Sequence, residues 1–138
     1  MSIGSWTPES GQQEDKPIIE LTTLEPLLEF SQQAGPEQLA TKLPPEIIQS
    51  HAWLMRTHKD SWFKIAARLD NQQLIALVRF FTLAEEQLPG WEAENKSPVI
   101  WLCRELKNRG QFPDPELIDW IKSHSSNKFL PYGNILDL

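Results

Sequence analysis

The segment from Asp70 to Gly90, DNQQLIALVRFFTLAEEQLPG, does most to restrict the fold of this chain. Leu74, Leu77, Val78, Phe81 and Leu88 recur at helical spacing, and Ile75, Phe80 and Leu83 spread the apolar surface well beyond one stripe. A helix that is apolar around most of its girth must be covered on most of its sides. The pattern therefore predicts a central helix with others packed around it. Asp70 or Asn71 supplies its cap, and Pro89-Gly90 stops it.

The flanking segments supply that cover, and proline and glycine punctuate them. TTLEPLLEFSQQAG puts Leu24, Leu27 and Leu28 on one face, tolerates Pro26 in its first turn and stops at Gly35. PEQLATKL gives one or two further turns before Pro44-Pro45. PEIIQSHAWLMRTH carries Ile48, Ala52 and Met55 as a stripe, with THKD as its break or bend. Asp60 is the expected cap of SWFKIAARL. Ser97-Pro98 opens PVIWLCRELKNR, which Gly110 closes, and Asp114-Pro115 opens PELIDWIKSH.

No stretch alternates with the two-residue period of a strand. The expected fold is all-α, a bundle of about six or seven helices with short connections and antiparallel neighbours. Two helix-turn-helix units, around 62–81 and 99–124, are weakly repeat-like, but their unequal connectors argue against a solenoid. Residues 1–17 are polar and without period, and are expected to be a flexible acidic tail before a single helical domain over 18–138.

Charge is unevenly placed. Residues 1–46 hold eight acids and two bases, whereas residues 47–138 hold eleven of each. An acidic chain is a poor match for a polyanion, so a helical nucleic-acid regulator is disfavoured. The second helix of the LDNQQL turn is also too apolar to serve as a recognition helix. No run approaches the roughly 20 apolar residues of a membrane span. The amino-terminal stretch lacks the pattern of a secretory signal, and a single cysteine cannot form an internal disulfide. These features point to a cytoplasmic protein with no membrane association.

Candidate chemistry is sparse. Cys103 shares a face with Val99, Leu102 and Leu106, so it is expected to be buried and inert, with Arg104 and Lys107 pointing elsewhere. His51 and His58 lie seven residues apart, and with Asp60 they are the residues from which a scattered or metal-dependent enzymatic site would be built. No phosphate loop or metal motif is present, and no cofactor is implied. Trp53 and Trp101 lie off the main stripes of their helices and are the aromatic candidates for a partner surface, with Arg104 beside them in type and Tyr132 in the apolar loop NKFLPYGN. The basic side chains fall into two groups, Arg56, Lys59, Lys64 and Arg68, then Arg104, Lys107 and Arg109, and both are expected on solvated faces. The sequence thus favours a non-catalytic helical domain for protein–protein interaction or self-association over an enzyme built on His51, His58 and Asp60. It leaves open whether a small molecule binds.

Overall fold

The computed structural model describes residues 18–33, 42–112, 114–125 and 127. The amino-terminal tail, most of PEQLATKL and the loop that holds Tyr132 lie outside the described residues. Among those described, the fold is all-helical. Six α-helices follow in order: α1 (Leu21–Gln33), α2 (Pro45–His51), α3 (Lys59–Ala66), α4 (Asn71–Gln87), α5 (Pro98–Asn108) and α6 (Pro115–His124). Short 3-10 turns follow α2 at Ala52–Arg56 and precede α5 at Glu94–Lys96. None of these helices is long and apolar enough to cross a membrane.

The central position of α4 follows from its sequence. It packs against α1, α5 and α6, and α5 packs in turn against α3. Nine consecutive or near-consecutive residues between Leu74 and Glu85 are buried, including the polar Thr82. Thr82 meets that burial by donating its hydroxyl to the Val78 carbonyl at 2.7 Å, one turn back. Asp70 and Gln73 form a reciprocal capping box: Asp70 Oδ1 accepts from Gln73 N at 2.7 Å, and Gln73 Oε1 accepts from Asp70 N at 2.9 Å.

The other ends also obey their signals, with two corrections. Ser97 caps α5 and Asp114 caps α6, each with proline in the first turn. At the end of α5, Gly110 takes φ +77°, Gly110 N donates to the Lys107 carbonyl, and Gln111 N donates to the Leu106 carbonyl at 2.8 Å. That pair of bonds is a Schellman closure, and the left-handed residue it needs is the glycine. At α3, however, the cap is His58 and not Asp60. The His58 side chain accepts from Asp60 N at 3.1 Å, which places Asp60 inside the first turn. At α1, the helix begins at Leu21, so Pro26 sits in the second turn and cannot donate to the Thr22 carbonyl one turn back.

Aromatic side chains bind the layers together. Phe80 meets Phe81, Trp91 and Phe30 edge-on, and Trp62 meets Phe81 in the same way. The two fully buried indoles also carry hydrogen bonds: Trp62 Nε1 donates to the Leu54 carbonyl at 3.3 Å and Trp91 Nε1 to the Ile48 carbonyl at 3.2 Å. Both acceptors lie in the short, irregular stretch from α2 through the 3-10 turn. This short segment is therefore laced onto the core by two indoles, one of them 43 residues from its acceptor.

Candidate functional site

An open groove of about 560 Å³ runs between α1 and the start of α2. Pro26, Glu29 and Phe30 form one wall, and Lys42, Leu43, Pro44 and Ile47 form the other. Its position has a local cause. Pro44 and Pro45 hold the chain extended before α2, with Pro44 at φ −59° and ψ 140°, so α2 starts away from α1 instead of closing onto it. His51 fixes the far end of α2: its Nε2 donates to the Thr23 carbonyl at 2.9 Å. A carbonyl only accepts, so that nitrogen carries the proton, and in the neutral ring Nδ1 accepts from the Ser50 hydroxyl at 2.8 Å. The floor is apolar, with Phe30 and Ile47 partly buried and Leu43 buried, and the exposed Glu29 and Lys42 place opposite charges along it.

The residues singled out from sequence do not converge on this groove. His51 is spent on the α1–α2 junction. The His58 Nδ1 lone pair caps α3, and its 3.5 Å approach to the Asp60 carboxylate becomes an ion pair only when that nitrogen is protonated, which would abolish the cap. Trp53 is 37 % exposed. Trp101 lies against Phe63 of α3, edge-on at 5.9 Å, and its buried Nε1 finds no acceptor among the described residues. Arg104 is half-buried on α5, and Tyr132 lies outside the described residues. Among the described residues, no three His, Cys, Asp or Glu side chains come together as a metal site. Cys103 is fully buried, and burial pushes its thiol far above the ordinary range, so it has no reactive thiolate to offer.

Two polar assemblies appear that the sequence did not signal. The first is Arg109, expected on a solvated face. It reaches Glu105 through Nε at 2.8 Å, Asn71 Oδ1 through Nη1 at 3.0 Å and the Ala66 carbonyl through Nη2 at 2.9 Å. One guanidinium thereby ties the end of α5 to the end of α3 and the start of α4. Arg56 is similarly engaged, donating to the Gly90 carbonyl at 3.1 Å.

The second assembly is centred on Glu85. This side chain, only 7 % exposed, accepts the hydroxyl of Ser97 on one oxygen and Asn127 Nδ2 at 2.9 Å on the other. Asn127 also donates to the Glu94 carbonyl at 3.0 Å, and Glu94 holds a left-handed φ of 50° that non-glycine residues seldom adopt. Burial raises the Glu85 carboxyl from 4.5 to about 7, even though Ser97, Asn127 and the backbone at Ala93 all favour its charged form and so pull the other way. Its neighbour Glu86 is exposed, so two adjacent acids occupy opposite environments. Sequence indicated only that both stand near the end of a helix. One of the partners that bond to Glu85 lies 42 residues away.

With this geometry in hand, comparison with known proteins adds no analogy: no family model, no curated protein and no solved structure matches the chain.

Proposed function

We propose that this protein is a non-catalytic binding domain that receives an apolar segment of a protein partner in the groove between α1 and α2. The observation that carries the reading is the groove itself: about 560 Å³, floored by Phe30, Leu43 and Ile47 and edged by Glu29 and Lys42. Its size falls within the range of ligand-binding clefts, roughly 300–1,000 Å³, and an apolar floor with a few polar groups is what such clefts present. The opposite charges on the two walls suit a segment that carries bulky apolar side chains between a base and an acid. The geometry lends no comparable support to a site on His51, His58 and Asp60: the His51 side chain joins α1 to α2, and that of His58 caps α3 by accepting from Asp60 N.

Selection from a library of displayed peptides tests the reading. Peptides with apolar anchors should be recovered, and their amide-shift footprint should fall on Phe30, Lys42 and Ile47. Ile47→Glu should weaken binding at least about 30-fold, the loss typical of a buried anchor at an interface. Recovery of no peptide, or of peptides indifferent to Ile47→Glu and Lys42→Glu, would remove the groove as the working surface. Self-association through the same groove would appear as a concentration-dependent sedimentation coefficient that Ile47→Glu abolishes.

A further inference from the structure

We propose that Glu85, Ser97 and Asn127 form a proton-operated latch, which fastens Asn127 to the junction of α4 and α5 and which ionisation of Glu85 loosens. Three separate parts of the chain meet at one buried carboxyl group: the last turns of α4, the cap of α5 and the residue that lies beyond α6. Asn127 is the moving part that the geometry points to. It spans Glu85 and the Glu94 carbonyl with a single amide nitrogen, and it stands outside any helix, three residues past His124. Ser97 cannot easily withdraw, because it is fully buried and its Oγ also caps α5 by accepting from Val99 N at 3.2 Å.

In either protonation state Glu85 can bond to Ser97 and to Asn127, but only one leaves the buried carboxyl uncharged. Protonated, Glu85 donates to Ser97 Oγ and accepts from Asn127. Ionised, it accepts from both and from the backbone at Ala93, but its charge lies in a site that is only 7 % exposed. No basic side chain pairs with it among the described residues. Close to the three latch residues along the chain stand Glu86 on α4, Glu92, Glu94 and Lys96 in the connector, and Lys122 and His124 at the end of α6; Arg79 on α4, Arg104, Glu105 and Lys107 on α5, and Glu116 and Asp119 on α6 stand farther along their helices. Of these, Glu86 adds like-charge repulsion that further disfavours the charge. The route by which an ionised Glu85 regains water is release of Asn127, since Ser97 is tied to the α5 cap and Ala93 lies in the connector between α4 and α5.

The window follows from linkage. Protonation favours the closed latch, because the closed carboxyl sits at about 7 while a hydrated one returns to 4.5. The ratio of closed to open molecules should therefore fall about 300-fold as pH rises between these values, and then level off.

The test is hydrogen exchange of the Asn127 side-chain amide in the full chain, corrected for intrinsic rate, from about pH 4.5 to about pH 8. Protection should drop through this range in the native protein and stay high throughout in Glu85→Gln, whose amide keeps both bonds without a charge. Protection that does not change with pH in the native protein would overturn the proposal. So would a Glu85→Gln protein with the native pH profile, because His124 or another group would then be responsible. If Glu85→Gln does not fold, the carbon-13 titration of the Glu85 carboxyl in the native protein decides: a midpoint near 4.5 would overturn the latch, and one near 7 that coincides with the loss of Asn127 protection would sustain it.

Discussion

At the scale of single residues, this chain separates polar groups that hold it together from one that burdens it. Arg109 belongs to the first kind. Its fork satisfies a carboxylate, an amide oxygen and the Ala66 carbonyl, the last at the negative end of α3. Arg109→Ala should lower stability by about 2 kcal/mol, and Arg109→Lys should recover little, because an ammonium cannot span three acceptors. Urea midpoints of the two variants check this, and a lysine protein as stable as the native one would show that charge, not the fork, matters. Trp101 is the opposite case, since its buried N–H lacks an acceptor among the described residues. Trp101→Phe should therefore cost less than about 1 kcal/mol or even stabilise, whereas Trp91→Phe, which forfeits a bond to the Ile48 carbonyl, should cost about 2 kcal/mol or more. Thermal unfolding of the pair gives the comparison, and equal losses would mean that ring volume alone decides. Neither difference is legible in the sequence. Both tryptophans are simply aromatic there, and what distinguishes them is whether a carbonyl remote along the chain faces the ring nitrogen.

At the scale of elements, stop and start signals act through neighbours only a few residues away, which is why they could be read in advance. Asp70 with Gln73, Ser97 with Pro98, Asp114 with Pro115 and the glycine at 110 each satisfy backbone groups within about one turn. Asp70→Ala should accordingly cost about 1 kcal/mol, with Asp70→Asn nearly neutral. Chemical denaturation distinguishes them, and an equal loss for both would show that charge at the helix start, and not the cap bond, is what stabilises α4. The misreadings share a cause. Asp60 and His58 both precede an apolar run, and the choice between them depends on the exact φ and ψ of the entry, which residue type does not fix. The helix expected to continue from Pro45 tightens to a 3-10 turn after His51, where Leu54 and Ile48 supply carbonyls to Trp62 and Trp91. Tertiary bonds override local propensity there. The groove was equally hidden, because its walls come from α1 and from a turn more than ten residues later, and no periodicity along one helix reports a gap between two.

At the scale of the whole molecule, the buried Glu85 makes stability depend on pH in an unusual direction. Most carboxylates in folded proteins are stabilised when charged, so acid destabilises the fold. Here the folded carboxyl lies at about 7, above its ordinary 4.5, so between those values the native state holds a proton that the unfolded chain has released. Stability from this group is fully present below 4.5, declines as pH rises and is gone above about 7. At 1.36 kcal/mol per pH unit the full decline is about 3 kcal/mol. Subtracting the profile of Glu85→Gln isolates this contribution from the other titrating groups. The size of the decline then reports on the latch. If Asn127 stays in place, the native protein must keep the charge buried and loses the full amount. If Asn127 swings away, Glu85 is hydrated while the helices remain folded, and the loss stops at the free energy of opening. A difference between the two proteins near 3 kcal/mol at pH 8, with Asn127 still protected, would mean a rigid site under electrostatic strain. A plateau well below that, reached as Asn127 protection disappears, would mean that the molecule relieves the buried charge locally and leaves the α4–α5 core undisturbed.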